Sequence, residues 1–156
     1  LKNPLGVLRA ASWPVALVGE SPGLRHPGYG RALRRTLGSD GLLLGPLEPA
    51  ALRALMGRAR VHVLFSWTEV LGRVSVEAAL AGAQVVAPRV GWLPSTLDPA
   101  PPGLRFVEPG DEVGLRRALG EAWEEGRPGP EGPLASAARV LCWEAVGPAL
   151  HEAFGP

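Results

Sequence analysis

Cysteine occurs once, at Cys142, which excludes an intrachain disulfide and any zinc cluster built from several thiolates. A reducing compartment is the default for such a chain. Lysine also occurs once, at Lys2, and isoleucine is missing, so nearly all the positive charge is arginine. That bias reads as a skewed genome with a thermophilic habit and says little about function, because arginine alone does not set thermostability. Net charge is scarce as well: 16 Lys and Arg against 15 Asp and Glu leave +1. No field of one sign steers the chain onto nucleic acid or an acidic membrane, and the basic residues form no stripe interleaved with aromatics. No apolar run approaches the roughly 18 residues of a spanning helix, and the first residues lack the basic-then-apolar form of a signal peptide. The expectation is a soluble, cytoplasmic protein that binds no nucleic acid, with a peripheral membrane contact through an upstream half left open.

The 156 residues fit one domain, long enough to bury about 68 to 70% of its extended surface. Hydrophobic residues make up 46% and charged residues 20%, so the chain is no disordered tail. Glycine (21) and proline (17) are abundant. They fall between apolar segments, as punctuation. The chain begins with Leu1 and its first periodic stretch already reads as the middle of something, which suggests a fragment.

Short runs that are apolar on both faces recur at Val15–Gly19, Gly41–Gly45, Val61–Phe65, Gln84–Ala87 and Arg105–Val107. This is the pattern of parallel strands covered on both sides. Between them, residues Leu5–Ala11, Tyr29–Leu37, Glu48–Gly57, Gly72–Ala81 and Asp111–Glu125 carry apolar residues at helical spacing. The alternation predicts an α/β fold, a doubly wound parallel sheet with helices on both faces and right-handed crossovers. The proline-rich stretch Pro94–Gly103 reads as irregular, and Leu134–Phe154 as helix interrupted at Pro148.

The most informative segment runs from Ser66 to Gly82. It leaves the carboxyl end of a strand and enters a helix, where open α/β sheets bind ligands. Free amides near Leu71, Gly72, Arg73 and Val74 would form an anion site supported by the helix dipole and by Arg73. Glu69 lies in the loop and Glu77 about one and a half turns into the helix, so their carboxylates could bracket a polyhydroxylated ligand whose phosphates sit at the amides. Two acceptors flanking an anion site suit a nucleotide sugar.

Here the sequence resembles the donor-binding, carboxyl-terminal domain of retaining nucleotide-sugar glycosyltransferases of the GT-B fold, family 4 type. Their hallmark is Ser-x-x-Glu-x-Phe-Gly-x-x-x-x-Glu-Ala-x-x-x-Gly. Ser66, Glu69, Gly72, Glu77, Ala78 and Gly82 match it, with Leu71 in place of phenylalanine. The likeness continues through Val85-Val86 into Val90-Gly91-Trp92-Leu93-Pro94, where the family has a second glycine at 92 and glutamate at 95, and this chain has Trp92 and Ser95. Val15–Glu20 and Leu42–Gly45 look like the second and third strands, Lys2-Asn3-Pro4 like the segment that opens with the family's lysine, and Arg139–Leu150 like the closing helix.

The resemblance implies that Glu77 holds the ribose hydroxyls, that Glu69 is the catalytic candidate in contact with the donor sugar, that Lys2 belongs to a phosphate-binding Arg-Lys pair, and that Gly45 lies beside the base. Trp92 either crowds or walls the sugar pocket. No metal or other cofactor is expected, since basic side chains and amides neutralise the diphosphate of the nucleoside-diphosphate sugar. The chemistry would be transfer to an acceptor hydroxyl with retention, in a cleft completed by an upstream acceptor-binding domain; this fragment alone would be inactive. Neither glutamate is assigned as a nucleophile.

The resemblance also implies strand order 3-2-1-4-5-6 with the first strand upstream of Lys2. The runs found here would then be strands two to six, leaving a slot between Val15–Gly19 and Val61–Phe65. The expected occupant is a strand of a separate polypeptide, an upstream fragment of the same gene product or another copy.

Simpler readings compete. Glu77 alone is a solvated helix-face residue paired with Arg73 at i,i+4 in the less favourable order, and Glu69 alone an ordinary capping carboxylate. Gly19–Gly23 and Gly28-Tyr29-Gly30 complete no phosphate-loop pattern and read as turns. His62 reads as a packed histidine; His26, His151 and Cys142 have no ligand spacing. Trp13, Trp123 and Trp143 read as core or domain-contact aromatics. The rival function is a non-catalytic nucleotide-sugar-binding or structural module. An epimerase of the same fold would need histidine and carboxylate constellations that the sequence does not offer.

Overall fold

The computed structural model describes residues 2–20 and 26–141. The Ser21–Gly23 part of the first glycine-rich turn, Cys142, Trp143-Glu144, Pro148 and His151 lie outside the described residues. The order is α1 (Pro4–Ala10), β1 (Ala16–Val18), α2 (Pro27–Leu37), β2 (Leu42–Leu44), α3 (Pro49–Met56), β3 (Val61–Val63), α4 (Arg73–Leu80), β4 (Gln84–Pro88), α5 (Trp92–Thr96), β5 (Leu104–Val107), α6 (Glu112–Glu125) and α7 (Pro133–Arg139). Every strand pairing is parallel, in a Rossmann-like, doubly wound arrangement flanked by helices.

Strand β4 shows why both faces read as apolar. Val85 and Ala87 join one core with Met56, Ala78, Ala79, Leu93, Leu104, Leu134 and Ala138. Val86, pointing the other way as strand alternation demands, joins a second core with Val7, Ala10, Phe65, Val107, Leu115 and Leu119. Helices α3, α4 and α7 therefore cover one face, and α1 and α6 the other. Buried Ala78 and Ala79 let α4 lie close on the sheet.

Two local expectations are corrected. Helix α5 runs into the proline-rich stretch because Pro94 falls in its first turn, where a backbone N–H has no intrahelical partner to lose. Helix α7 ends at Arg139, where the Leu141 amide turns back onto the Ala138 carbonyl, 3.0 Å away, so the predicted helix is broken by residue 141; the rest of Leu134–Phe154 lies outside the described residues.

The strands form two ladders, β1-β2 and β3-β4-β5, and none joins β1 to β3 among the described residues. Backbone alternation shows which groups face the break. The Leu42 amide donates to the Val15 carbonyl (2.9 Å), so Val15 and Leu17 face β2 while Ala16 and Val18 face away from it. Likewise the Gln84 amide reaches Arg60 O and the Leu64 amide reaches Val86 O, leaving Val61, Val63 and Phe65 turned from β4. On that open edge the Asn3 amide donates to Phe65 O at 3.0 Å, and Lys2 bridges Ser66 in antiparallel fashion. Helix α1 packs on both α2 and α6.

His62 retains some exposed surface, but its imidazole Nε2 lies 3.4 Å from Ser75 Oγ beneath α4. Desolvation by burial lowers its pKa from 6.5 to about 4. Its folded pKa is depressed, so the unfolded chain takes up the proton first, and stability falls as pH drops from about 6.5 towards 4. A loss on the order of 2 kcal/mol is expected over that window. Thermal melts of the parent chain and His62→Gln from pH 7 to 4.5 check this: the variant should lose most of the slope, and equal slopes would remove His62 as its source.

Candidate functional site

Strand β3 ends in a loop, Ser66–Gly72, that delivers the chain to α4 at the carboxyl edge of the sheet. Gly72 is the N-cap and adopts φ +65°, a left-handed conformation in which a side chain is strained. No side chain caps this helix. The amides of Arg73 and Val74, in its first turn, have no carbonyl behind them within the helix and are directed at the loop.

Glu69 curls back over this start. One carboxylate oxygen accepts hydrogen bonds from the Val70 amide (3.2 Å) and the Gly72 amide (3.4 Å). The other is paired with the Lys2 ammonium. Partial burial raises the Glu69 pKa, but the Lys2 hydrogen bond and charge, with the two amides, outweigh that and hold it below the ordinary value. The carboxylate is therefore charged at neutral pH. The backbone bridge of Lys2 to Ser66 on the open edge of β3 explains the meeting of residues 67 positions apart.

Glu77 lies one turn beyond Arg73 on α4, and their charged groups approach to 3.8 Å. Both side chains are well exposed, so the pair contributes little to stability. Leu71 is exposed beside Gly72.

The loop's other support was not legible in the sequence. A Cβ at Gly91, whose φ is +84°, would stand 2.3 Å from the Glu69 carbonyl oxygen. The next amide, Trp92 N–H, donates to Val70 O at 2.8 Å. The glycine turn after β4 thus seats the Glu69-Val70 backbone. Ser66, 1% exposed, buries a hydroxyl with no hydrogen-bond partner among the described atoms.

The structure brings Lys2, Glu69, Leu71, Gly72, Arg73, Val74 and Glu77 to one edge, and the Val70 bond ties in Trp92. Gly45 is at the carboxyl end of β2, where its carbonyl accepts from Gly19 N–H (3.3 Å); it belongs to the other ladder. Large apolar side chains of these loops are open to solvent: Val70 is 77% exposed, Trp67 55% and Trp92 40%. Trp13 and Trp123 instead stack on each other, with centroids 4.5 Å apart. Among the described residues no group of three or more His, Cys, Asp or Glu side chains could hold a metal ion, and no helix is long and apolar enough to cross a membrane.

Trp92 opens α5, its carbonyl accepting from Ser95 Oγ (2.7 Å) and Thr96 Oγ1 (3.0 Å). With its indole partly in water, Trp92→Ala should cost less than about 1 kcal/mol of stability. If the indole walls a sugar pocket, affinity for a sugar donor should change more than affinity for its nucleoside diphosphate. Parallel melts and titrations check both, and a loss of about 3 to 5 kcal/mol would make it a core residue instead.

Residues 5–125 match the glycosyl transferases group 1 family, a span that includes Glu69, Glu77 and Trp92 and begins just after Lys2. A D-inositol 3-phosphate glycosyltransferase from Corynebacterium kroppenstedtii is 37% identical over 84 residues, covering 53% of this chain and 19% of that protein. A sucrose-phosphate synthase from Thermosynechococcus elongatus superposes with a TM-score of 0.75 at 24% identity, over 97% of this chain and 41% of that one. A glycosyltransferase from Rickettsia africae superposes with a TM-score of 0.66 at 17% identity, over 89% and 37%. The two superpositions establish likeness of fold, and the chain spans less than half the length of each of these proteins. With the family match covering most of its length, the chain belongs to the glycosyl transferases group 1 family.

Proposed function

We propose that this chain is the donor-binding half of a retaining GT-B glycosyltransferase and binds a nucleoside-diphosphate sugar at the start of α4. The observation that supports this most is the gathering of Lys2, Glu69, uncapped helix amides and Glu77 at the carboxyl edge of a parallel sheet. In this reading the diphosphate lies against the amides of Gly72, Arg73 and Val74 with Lys2 beside it. Glu77 accepts from the ribose hydroxyls, Glu69 from a sugar hydroxyl, Gly45 adjoins the base, and Trp92 walls the sugar.

The protein's part in the reaction is to position the donor and stabilise the departing charge. The bond from the anomeric carbon to the phosphate oxygen breaks as a bond to the acceptor hydroxyl forms on the same face. The departing diphosphate takes the hydroxyl proton. Because the site is open on this chain, the acceptor and the opposite wall come from an upstream domain or a separate chain. A cytoplasmic location goes with this reading, in keeping with the lone cysteine.

The test is calorimetric titration with uridine, guanosine and adenosine diphosphates and their sugar conjugates. Saturable binding of one base with a further gain from its sugar is expected. Binding with no transfer in any longer polypeptide that includes an acceptor half would favour the non-catalytic module, and binding of none would contradict the donor site.

A further inference from the structure

We propose that Glu69 is a built-in competitor for the donor's phosphates, holding the groups that would otherwise receive them until the donor displaces it. The inference rests on the donor-site reading above and adds a second state to it. Its basis is the double engagement of one carboxylate. One oxygen takes the amides of Val70 and Gly72, and the other takes the Lys2 ammonium. A backbone-amide pair with a single cation beside it is the chemistry that recognises a phosphate oxygen, and a carboxylate is the side chain that most resembles one.

The arrangement is built for release as well as for holding. Glu69 sits on a loop, and its ionic partner Lys2 is more than half exposed, so water competes for the ammonium. The loop backbone itself is held by Gly91 and by the bond from Trp92 N–H to Val70 O. The side chain can therefore leave without moving the amides. Once displaced, it is free to turn to a sugar hydroxyl, so that an incoming diphosphate converts Glu69 from a phosphate mimic into a sugar ligand. A nucleoside diphosphate without sugar meets the cost of displacing Glu69 and gains nothing from it, whereas the full donor recovers that cost. The device therefore favours donor over spent nucleotide.

Opposite outcomes separate this from a Glu69 that only contacts sugar. Pyrophosphate and uridine, guanosine and adenosine diphosphates are titrated into the full chain as parent, Glu69→Gln, Glu69→Asp, Lys2→Met and the Lys2→Met/Glu69→Gln double variant, with thermal melts confirming that each is folded. Release of the site by Glu69→Gln should tighten diphosphate binding about three- to tenfold, the size expected when a weakly held closed state is removed. Glu69→Asp keeps the charge but is one methylene too short to span amides and ammonium together, and it should tighten binding as well. In the Lys2→Met background the gain from Gln should shrink by half or more. Unchanged or weaker binding by Glu69→Gln, or a gain with Gln and none with Asp, overturns the competitor while leaving the donor site standing. Absence of binding in every variant overturns both.

Discussion

The backbone amides of Ala16, Val18, Val61 and Val63 should exchange with solvent about a thousandfold faster than those of Leu17, His62 and Leu64, their immediate neighbours along the chain. The ladders turn the second set into β1-β2 and β3-β4 hydrogen bonds and leave the first set facing the break. Amides on an open edge exchange by local fluctuation, at little free-energy cost, whereas paired ones wait for an opening of several kcal/mol, each 1.4 kcal/mol being a factor of ten. Residue-resolved exchange by NMR reads this as an alternating pattern along three-residue strands, with uniform protection across Val85–Ala87 as the internal control. An unpaired strand edge is also a receptor for a strand. An extended segment supplied by an upstream region or by a second chain should protect the same four amides together and raise the melting temperature. Uniform protection of β1 and β3 in the isolated chain would mean that the two ladders are joined.

Replacing Glu77 by Ala should weaken nucleoside diphosphate binding by about 1 to 3 kcal/mol, the worth of charged hydrogen bonds to a pair of ribose hydroxyls. That is about five- to 150-fold in Kd. Stability should hardly change, because the partner it loses, Arg73, is itself exposed and the pair spans 3.8 Å. Calorimetry with the base selected by the parent chain checks the first expectation and a melt the second. An unchanged Kd would return Glu77 to the role of a surface residue of α4.

Much of this was legible in the residues. Val61–Phe65 and Gln84–Ala87 are apolar on both faces because helices cover both, and that requirement is written directly into composition. Val76, Ala79 and Leu80 fix α4 by their spacing, and the Glu69, Gly72, Glu77 and Gly82 pattern points to the loop before α4 as the candidate site. Strand order beyond nearest neighbours is reached only by resemblance, and among the described residues the strands pair as β1-β2 and β3-β4-β5.

What sequence did not disclose depends on long-range contact. Nothing local says that Lys2 meets Glu69; that follows from Lys2 bridging Ser66 along the open edge of β3. The seat that Gly91 offers Glu69 is likewise a contact between two loops, with no periodicity to betray it. Pro94 reads as a breaker because proline interrupts helix interiors, whereas its effect depends on position within the turn, which the sequence does not index.

The central claim, that nucleotide donors bind at the start of α4, is tested most directly by following backbone amide resonances while the nucleoside diphosphate is added. The account predicts that Gly72, Arg73 and Val74 shift first and furthest, with Val70 following as the Glu69 carboxylate leaves its amide. Shifts confined to the groove between β5 and α6, lined by Arg105, Asp111, Arg117 and Glu121, or no saturable shift with any base, would contradict it.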